Sequence, residues 1–157
     1  MTAMSQHAAH VKWTRTGETF TDGRYSRAHV WRFDGGAEVR ASAAPDVVRP
    51  PFSDPAGVDP EEALVAALSS CHMLWFLSLA ARRGFVVDDY TDDAVGVMGK
   101  SPEGKTMMTT CALRPAIRFA GGRQPSSEEL DALHHEAHEK CFIANSVKTE
   151  VRVEPLQ

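Results

Sequence analysis

The residues best suited to chemistry are two cysteines in unlike settings. Cys71 sits inside the apolar run from Ala63 to Leu79 and reads as a buried thiol, while Cys141 closes the polar stretch from His134 to Lys140 and reads as a half-exposed one. A thiolate oxidised by a peroxide becomes a sulfenic acid, and a second thiol within reach rescues it as a disulfide. Brought together by a fold, this pair would perform thiol peroxidase chemistry. A free cysteine ionises near a pKa of about 8.5, so only a few per cent is thiolate at neutral pH, and burial lowers that fraction further. On a helix starting at Pro60, Cys71 lies about three turns in, beyond the reach of the helix dipole, so a cation must be brought to the sulfur. Arginine suits this better than lysine. Its planar fork faces the thiolate along one edge while a carboxylate holds another.

Other readings of the same residues stand beside this one. His134 and His138 are spaced i, i+4 with Cys141 at i+7, a pattern that offers three metal ligands, with His72 or His135 nearby. That gives a second function class, a domain binding a metal through His134, His138 and Cys141, or a small apolar ligand, without turnover. No CxxC pair or HExxH run accompanies it. Cys111, within Thr109-Thr-Cys-Ala-Leu113, reads as strand packing, and Glu61 and Glu62 read equally as first-turn charges.

The chain that must position these groups has the composition of one folded domain, over 11–157, with 43% hydrophobic and 24% charged residues. A net charge of −4 gives no electrostatic case for nucleic acid or an anionic membrane surface. Three cysteines without framework spacing, and no basic-then-apolar leader, point to a reducing cytoplasm. Residues 1–10 have little apolar content and read as a flexible segment, so His7 and His10 carry little weight. Between Glu62 and Arg82 lie 19 uncharged residues, close to the ~20 of a membrane span, but Ser69, Ser70, His72 and Ser78 interrupt them. The run reads instead as a helix buried on all sides, between sheets or against a second subunit. An oligomer with this helix at its centre is expected.

Punctuation sets the elements. Strands are expected from Val11 to Thr16, Ser26 to Phe33 and Ala37 to Ser42, the last two joined through Asp34-Gly-Gly36. The prolines of 43–58 make a surface loop. Asp59 as N-cap, Pro60 at the first position and Arg82-Arg-Gly84 at the end bound the apolar helix. A strand from Phe85 to Tyr90 leading into Ala94 to Met98, and one returning from Thr106 to Phe119, follow, with Pro115 marking a bulge or edge. A capping box at Ser126-Ser-Glu-Glu129 opens a helix to about Lys140, on which Leu130, Leu133, Ala137 and Cys141 form one stripe. Val147 to Val153 alternates as a last strand. The order is β-β-β-α-β-β-α-β, an α+β chain.

Asp59-Pro-Glu-Glu-Ala-Leu-Val-Ala-Ala-Leu-Ser-Ser-Cys71, followed 70 residues later by the cysteine of Ala137-His-Glu-Lys-Cys141, resembles the two-cysteine pattern of the OsmC/Ohr family, the osmotically inducible and organic hydroperoxide resistance proteins. The resemblance runs from Tyr25-Ser-Arg-Ala-His29 to the last strand. It implies an OsmC-like fold with antiparallel sheets packed around a long buried central helix, in an intertwined homodimer. It also implies reduction of organic hydroperoxides, alkyl or fatty-acyl, with no metal or organic cofactor and with a dithiol reductant, commonly a lipoylated protein. By the same resemblance Cys71 is the peroxidatic cysteine, Cys141 the resolving one, Glu61 the carboxylate that orients an arginine, and Arg27 that arginine, with Arg24 in reserve. An apolar pocket drawn from Met73, Leu74, Trp75, Phe76 or Leu77 would favour an alkyl chain over hydrogen peroxide.

Ten residues of helix rise about 15 Å, so Glu61 cannot reach Cys71 of its own chain directly. A site shared between subunits is expected, with Glu61 and Arg27 of one chain serving Cys71 and Cys141 of the other. The chain departs from the typical Ohr branch in having His72 beside Cys71 and Phe142-Ile-Ala-Asn-Ser146 where a Cys-Pro start is usual. This places it nearer the OsmC-like branches.

Overall fold

The structure is a computed structural model that describes residues 4–156. The backbone divides into two compact units that meet between Ala63 and Leu64. In the first, β1 (Ala9–Lys12), β2 (His29–Phe33) and β3 (Glu38–Ala41) form an antiparallel sheet in that order. Gly36 adopts φ +87° in the β2–β3 turn, the left-handed conformation that a tight hairpin favours and glycine accepts without strain. β1 begins earlier than expected, because Ala9 and His10 pair with Phe33 and Arg32, so this end of the supposed flexible segment is ordered by ladder bonds. Residues 43–58 contain no helix or strand, and only Val58 returns to bridge Ala41.

The helix α1 (Pro60–Arg82) is bounded by two well-formed caps. The Glu62 N–H donates to Asp59 Oδ1 at 2.7 Å, and Glu62 Oε2 accepts the Asp59 N–H at 3.2 Å, a reciprocal capping box. At the other end Phe85 N–H donates to Ala80 O and Gly84 N–H to Ala81 O, both at 3.0 Å, with Gly84 at φ +79°. That is a Schellman closure, and its hydrophobic contact places Phe85 beside Ala80 in the core.

In the second unit α1 carries two packed faces. Phe76, Leu79 and Ala80 meet Leu133 and Ala137 of α2 (Ser127–Lys140) and the inner residues of β4 (Val86–Asp92) and β7 (Pro115–Ala120). Leu68 meets Met108, Cys111 and Leu113 of β6 (Thr106–Leu113), with Val151 and Val153 of β8 (Glu150–Val153) alongside. The expected strand from Thr106 to Phe119 is therefore two strands in two sheets. Pro115, which has no N–H to give, begins β7 against β4, while β6 lies between β5 (Val95–Lys100) and β8. The sheets are otherwise antiparallel, but β8 runs parallel to β6.

By length and composition α1 could cross a membrane. Its inner face nonetheless holds buried His72 and the core residues Leu68, Phe76, Leu79 and Ala80, as a core helix does. Burial on all sides is not found within the chain. Leu74 is 63% exposed, and Ala66 and Ser70 are open with it, because the two sheets and α2 cover only one side of the helix.

Candidate functional site

The thiols that the sequence separates by 70 residues are neighbours in the second unit. Cys71 projects from the open side of α1 and is partly exposed, while Cys141, at the C-cap of α2, is 1% exposed. This reverses the burial expected of each. The apolar residues around Cys71 are spread over the whole circumference of α1, so its own face is left uncovered, whereas the stripe through Leu133 and Ala137 carries Cys141 inward. The Cys141 N–H donates to His138 O at 3.2 Å, and its Sγ accepts the Ala144 N–H at 3.4 Å from the 3-10 turn Ala144–Ser146. The two side chains lie close enough for each thiol to feel the other. Burial pushes the Cys141 thiol up to about 11; the Ala144 N–H pulls against this and the contact with Cys71 adds to it. Cys141 thus keeps its proton at neutral pH.

A cavity of about 480 Å³ opens over Cys71, lined by Ala67, Ser70, Leu74, Trp75, Ser78, Arg82, Phe142 and Ile143. Of the pocket residues expected from the sequence, Leu74 and Trp75 line it. Phe76 instead lies in the core at 0% exposure. Phe142 meets Trp75 edge-on with ring centroids 5.4 Å apart, so the segment after Cys141 forms a wall of the cavity. The apolar lining suits a hydrocarbon chain.

Arg27 and Glu61 belong to the first unit. The Arg27 Nη1 donates to Gly23 O at 2.7 Å and to Tyr25 O, and its guanidinium lies 3.7 Å from the Tyr25 ring centroid. Among the described residues it makes no ion pair with Glu61, so the expected orienting bond is not formed within the chain; its Nη1 is held by two nearby backbone carbonyls instead. Glu62, beside Glu61, closes the helix cap. Arg27 lines a second cavity, of about 460 Å³, with Val11, Trp13, Phe20, Tyr25 and His29 among its walls. The Trp13, Phe20 and Tyr25 rings form one cluster, with centroids 4.5 to 5.7 Å apart. Arg24 does not line it.

The histidines pair with each other rather than with a thiol. His72 Nε2 and His134 Nδ1 share a hydrogen bond at 3.1 Å, in the interior. Burial holds both imidazoles down at about 4, and so neutral at physiological pH. Among the described residues no group of three or more His, Cys, Asp or Glu side chains is arranged to hold a metal ion. The expected set of His134, His138 and Cys141 is not assembled, since His134 turns its Nδ1 to His72 and Cys141 turns to Cys71. Cys111 is fully buried against Leu68 and Leu113, as strand packing requires, and burial, with Asp92 adding to it, raises its thiol.

Known proteins share this architecture. An OsmC-like protein of unknown function from Vibrio cholerae is 56% identical, with a TM-score of 0.96 over 98% of this chain and 100% of that one. An organic hydroperoxide resistance protein from Elizabethkingia anophelis shares the fold at 16% identity, with a TM-score of 0.70 over 99% of this chain and 96% of that one. One from Bacillus subtilis does so at 15% identity, with a TM-score of 0.67 over 98% of this chain and 100% of that one. No curated protein sequence matches the chain. The family described as OsmC-like protein matches residues 53–155, which include both cysteines and Glu61 and leave Arg27 outside. The α+β architecture and these matches agree: the chain belongs to the OsmC-like protein family.

Proposed function

We propose that the protein is a cysteine-based peroxidase that reduces organic hydroperoxides to alcohols. The observation that carries this reading is the proximity of Cys71, open to an apolar cavity, to Cys141, buried and protonated behind it. Similarity in fold to proteins named for organic hydroperoxide resistance supports it. The Cys71 thiolate attacks the distal peroxide oxygen, the O–O bond breaks, and the alcohol leaves with a proton, giving Cys71 sulfenic acid. Cys141 then attacks the Cys71 sulfur, water leaves, and a disulfide forms. A dithiol, such as that of a lipoylated protein, reduces it in a reducing compartment such as the cytoplasm.

The reading includes a homodimer. Leu74 and Phe142, 63% and 67% exposed, leave an apolar surface around the thiols that a second copy of the chain would cover. Arg27 and Glu61 of one subunit then serve Cys71 of the other, which gives the thiolate the cation it needs. Stoichiometric alkyl hydroperoxide followed by non-reducing peptide mapping tests the chemistry. A Cys71–Cys141 disulfide is expected; unchanged thiols overturn the reading.

A further inference from the structure

Cys71 and Cys141 stand on different helices, so the contacts that lock α1 to α2 set the geometry of any bond between the sulfurs. The residue after Cys71 makes such a contact. His72, 1% exposed, shares its hydrogen bond with His134, 4% exposed, which lies two turns before Cys141 on the same face of α2. The ring planes are within 5° of parallel, and Phe76 closes over His134 with 4.5 Å between ring centroids. Two further links are more open: Arg83, just past α1, meets Glu136 at 2.5 Å and is partly exposed, and the Lys140 ammonium lies 5.8 Å from the Trp75 ring centroid. The histidine pair is costly to keep. His72 Nδ1 and His134 Nε2 are buried without partners, as is His138 Nδ1 one turn further on, where leucines would fill the same interior without orphaned nitrogens. What the pair supplies is direction, because a hydrogen bond fixes a distance and an angle and apolar contact fixes neither.

We propose that the His72–His134 bond is a clamp that positions Cys141 against Cys71 and so decides the fate of the oxidised sulfur. The proposal rests on the peroxidase reading. The Cys71 sulfenic acid has two exits. In one, the Cys141 sulfur attacks the Cys71 sulfur, the S–O bond breaks, and the hydroxide leaves as water with the Cys141 proton. In the other, the sulfenic sulfur attacks a second hydroperoxide, its O–O bond breaks, an alcohol leaves, and the sulfinic acid remains. Only the first needs a second sulfur in line, so the clamp acts on that exit alone. His72 and His134 are positioning residues that touch neither peroxide nor sulfur.

The test compares the wild type with His134→Leu, His134→Gln and the double variant His72→Leu/His134→Leu. Three properties are followed: peroxide consumed in the first turnover, the sulfinic-to-disulfide ratio by peptide mass spectrometry, and the equilibrium of the disulfide with dithiothreitol. His134→Leu is expected to consume the first peroxide at the wild-type rate, raise the sulfinic fraction about tenfold and shift the dithiothreitol equilibrium a similar amount toward the dithiol, the worth of one buried hydrogen bond. His134→Gln, which keeps a polar partner for His72, recovers most of both. If His134→Leu does not fold, the double variant gives the same comparison without an orphaned His72. Unchanged ratio and equilibrium in a folded Leu variant, or equal losses in Leu and Gln variants that follow their melting temperatures, overturn the clamp. A wild type inert to peroxide fails the peroxidase reading instead, while the dithiothreitol equilibrium still reports on the clamp.

Discussion

Cys141 meets Cys71 from the buried side of the pair, and burial keeps its proton in place. The two thiols are therefore unequal before any oxidant arrives. Cys71→Ser is expected to abolish peroxide consumption. Cys141→Ser is expected to consume the first equivalent and then carry Cys71 on to the sulfinic acid, without disulfide. Intact-mass analysis after one and several equivalents of alkyl hydroperoxide checks both. Equal loss of the first equivalent in the two variants would mean the roles are wrongly assigned.

The proposed sharing of the site between subunits makes a prediction for mixed dimers. Arg27→Ala should lower kcat/KM by roughly a hundredfold, in the range found when a charge-stabilising donor is removed. Mixed dimers of Arg27→Ala and Cys71→Ser subunits should regain one working site in two, because one interface then holds an intact arginine and an intact thiol. Titrating one variant with the other and measuring activity decides the matter, and no recovery at any ratio counts against sharing.

The buried imidazoles give stability an acid limb. Folding holds His72 and His134 at about 4, below the ordinary 6.5, so as pH falls the unfolded chain takes up protons first. Burial is the main cause for both. His72 also feels His134 and His138 of α2, which push it down, and Asp92 of β4, which pulls it up. Stability from these groups is fully present above pH 6.5 and declines between 6.5 and 4, by on the order of 3 kcal/mol per ring at most. Urea melts from pH 8 to pH 4 should show the decline in the wild type and a flatter profile in His72→Leu/His134→Leu.

Gly84 holds the left-handed turn that ends α1. Gly84→Ala is expected to cost about 1 kcal/mol, because a side chain there is strained in the Schellman closure. Thermal unfolding of the variant should show a melting point several degrees lower, with the reactivity of Cys71 toward a thiol reagent unchanged in the folded protein.

Much of the frame is legible in the sequence because it is locally encoded. Asp59 with Glu62, and Ser126 with Glu129, are reciprocal caps whose partners lie three residues apart, and both helices begin where those pairs put them. Cys141 follows Leu133 and Ala137 along a helical stripe. Pairings between distant segments leave no local trace. Nothing in Val147 to Val153 tells that β8 lies parallel to β6, nor does the pattern around Pro115 show that β6 and β7 belong to different sheets. The assignment of exposure to the two thiols failed for a related reason. A helix apolar on every side does not say which side its own chain covers, and Cys71 lies on the side left open. The His72–His134 bond joins residues 62 apart, and the Trp13, Phe20 and Tyr25 cluster is gathered by an irregular loop. Sequence periodicity carries no signal for either.

The parallel pairing of β8 with β6 has a consequence for the newly made chain. Parallel neighbours need a long crossover, and this one passes through β7, α2 and the 3-10 turn that seats Cys141. The sheet behind Cys111 and Leu113 cannot close until Glu150–Val153 leave the ribosome, and such distant pairings form late. While synthesis is under way, Cys71 has already emerged and stands alone. In the peroxidase reading, an oxidant that reaches it in that interval meets a thiol whose resolving partner, Cys141, is not yet in place.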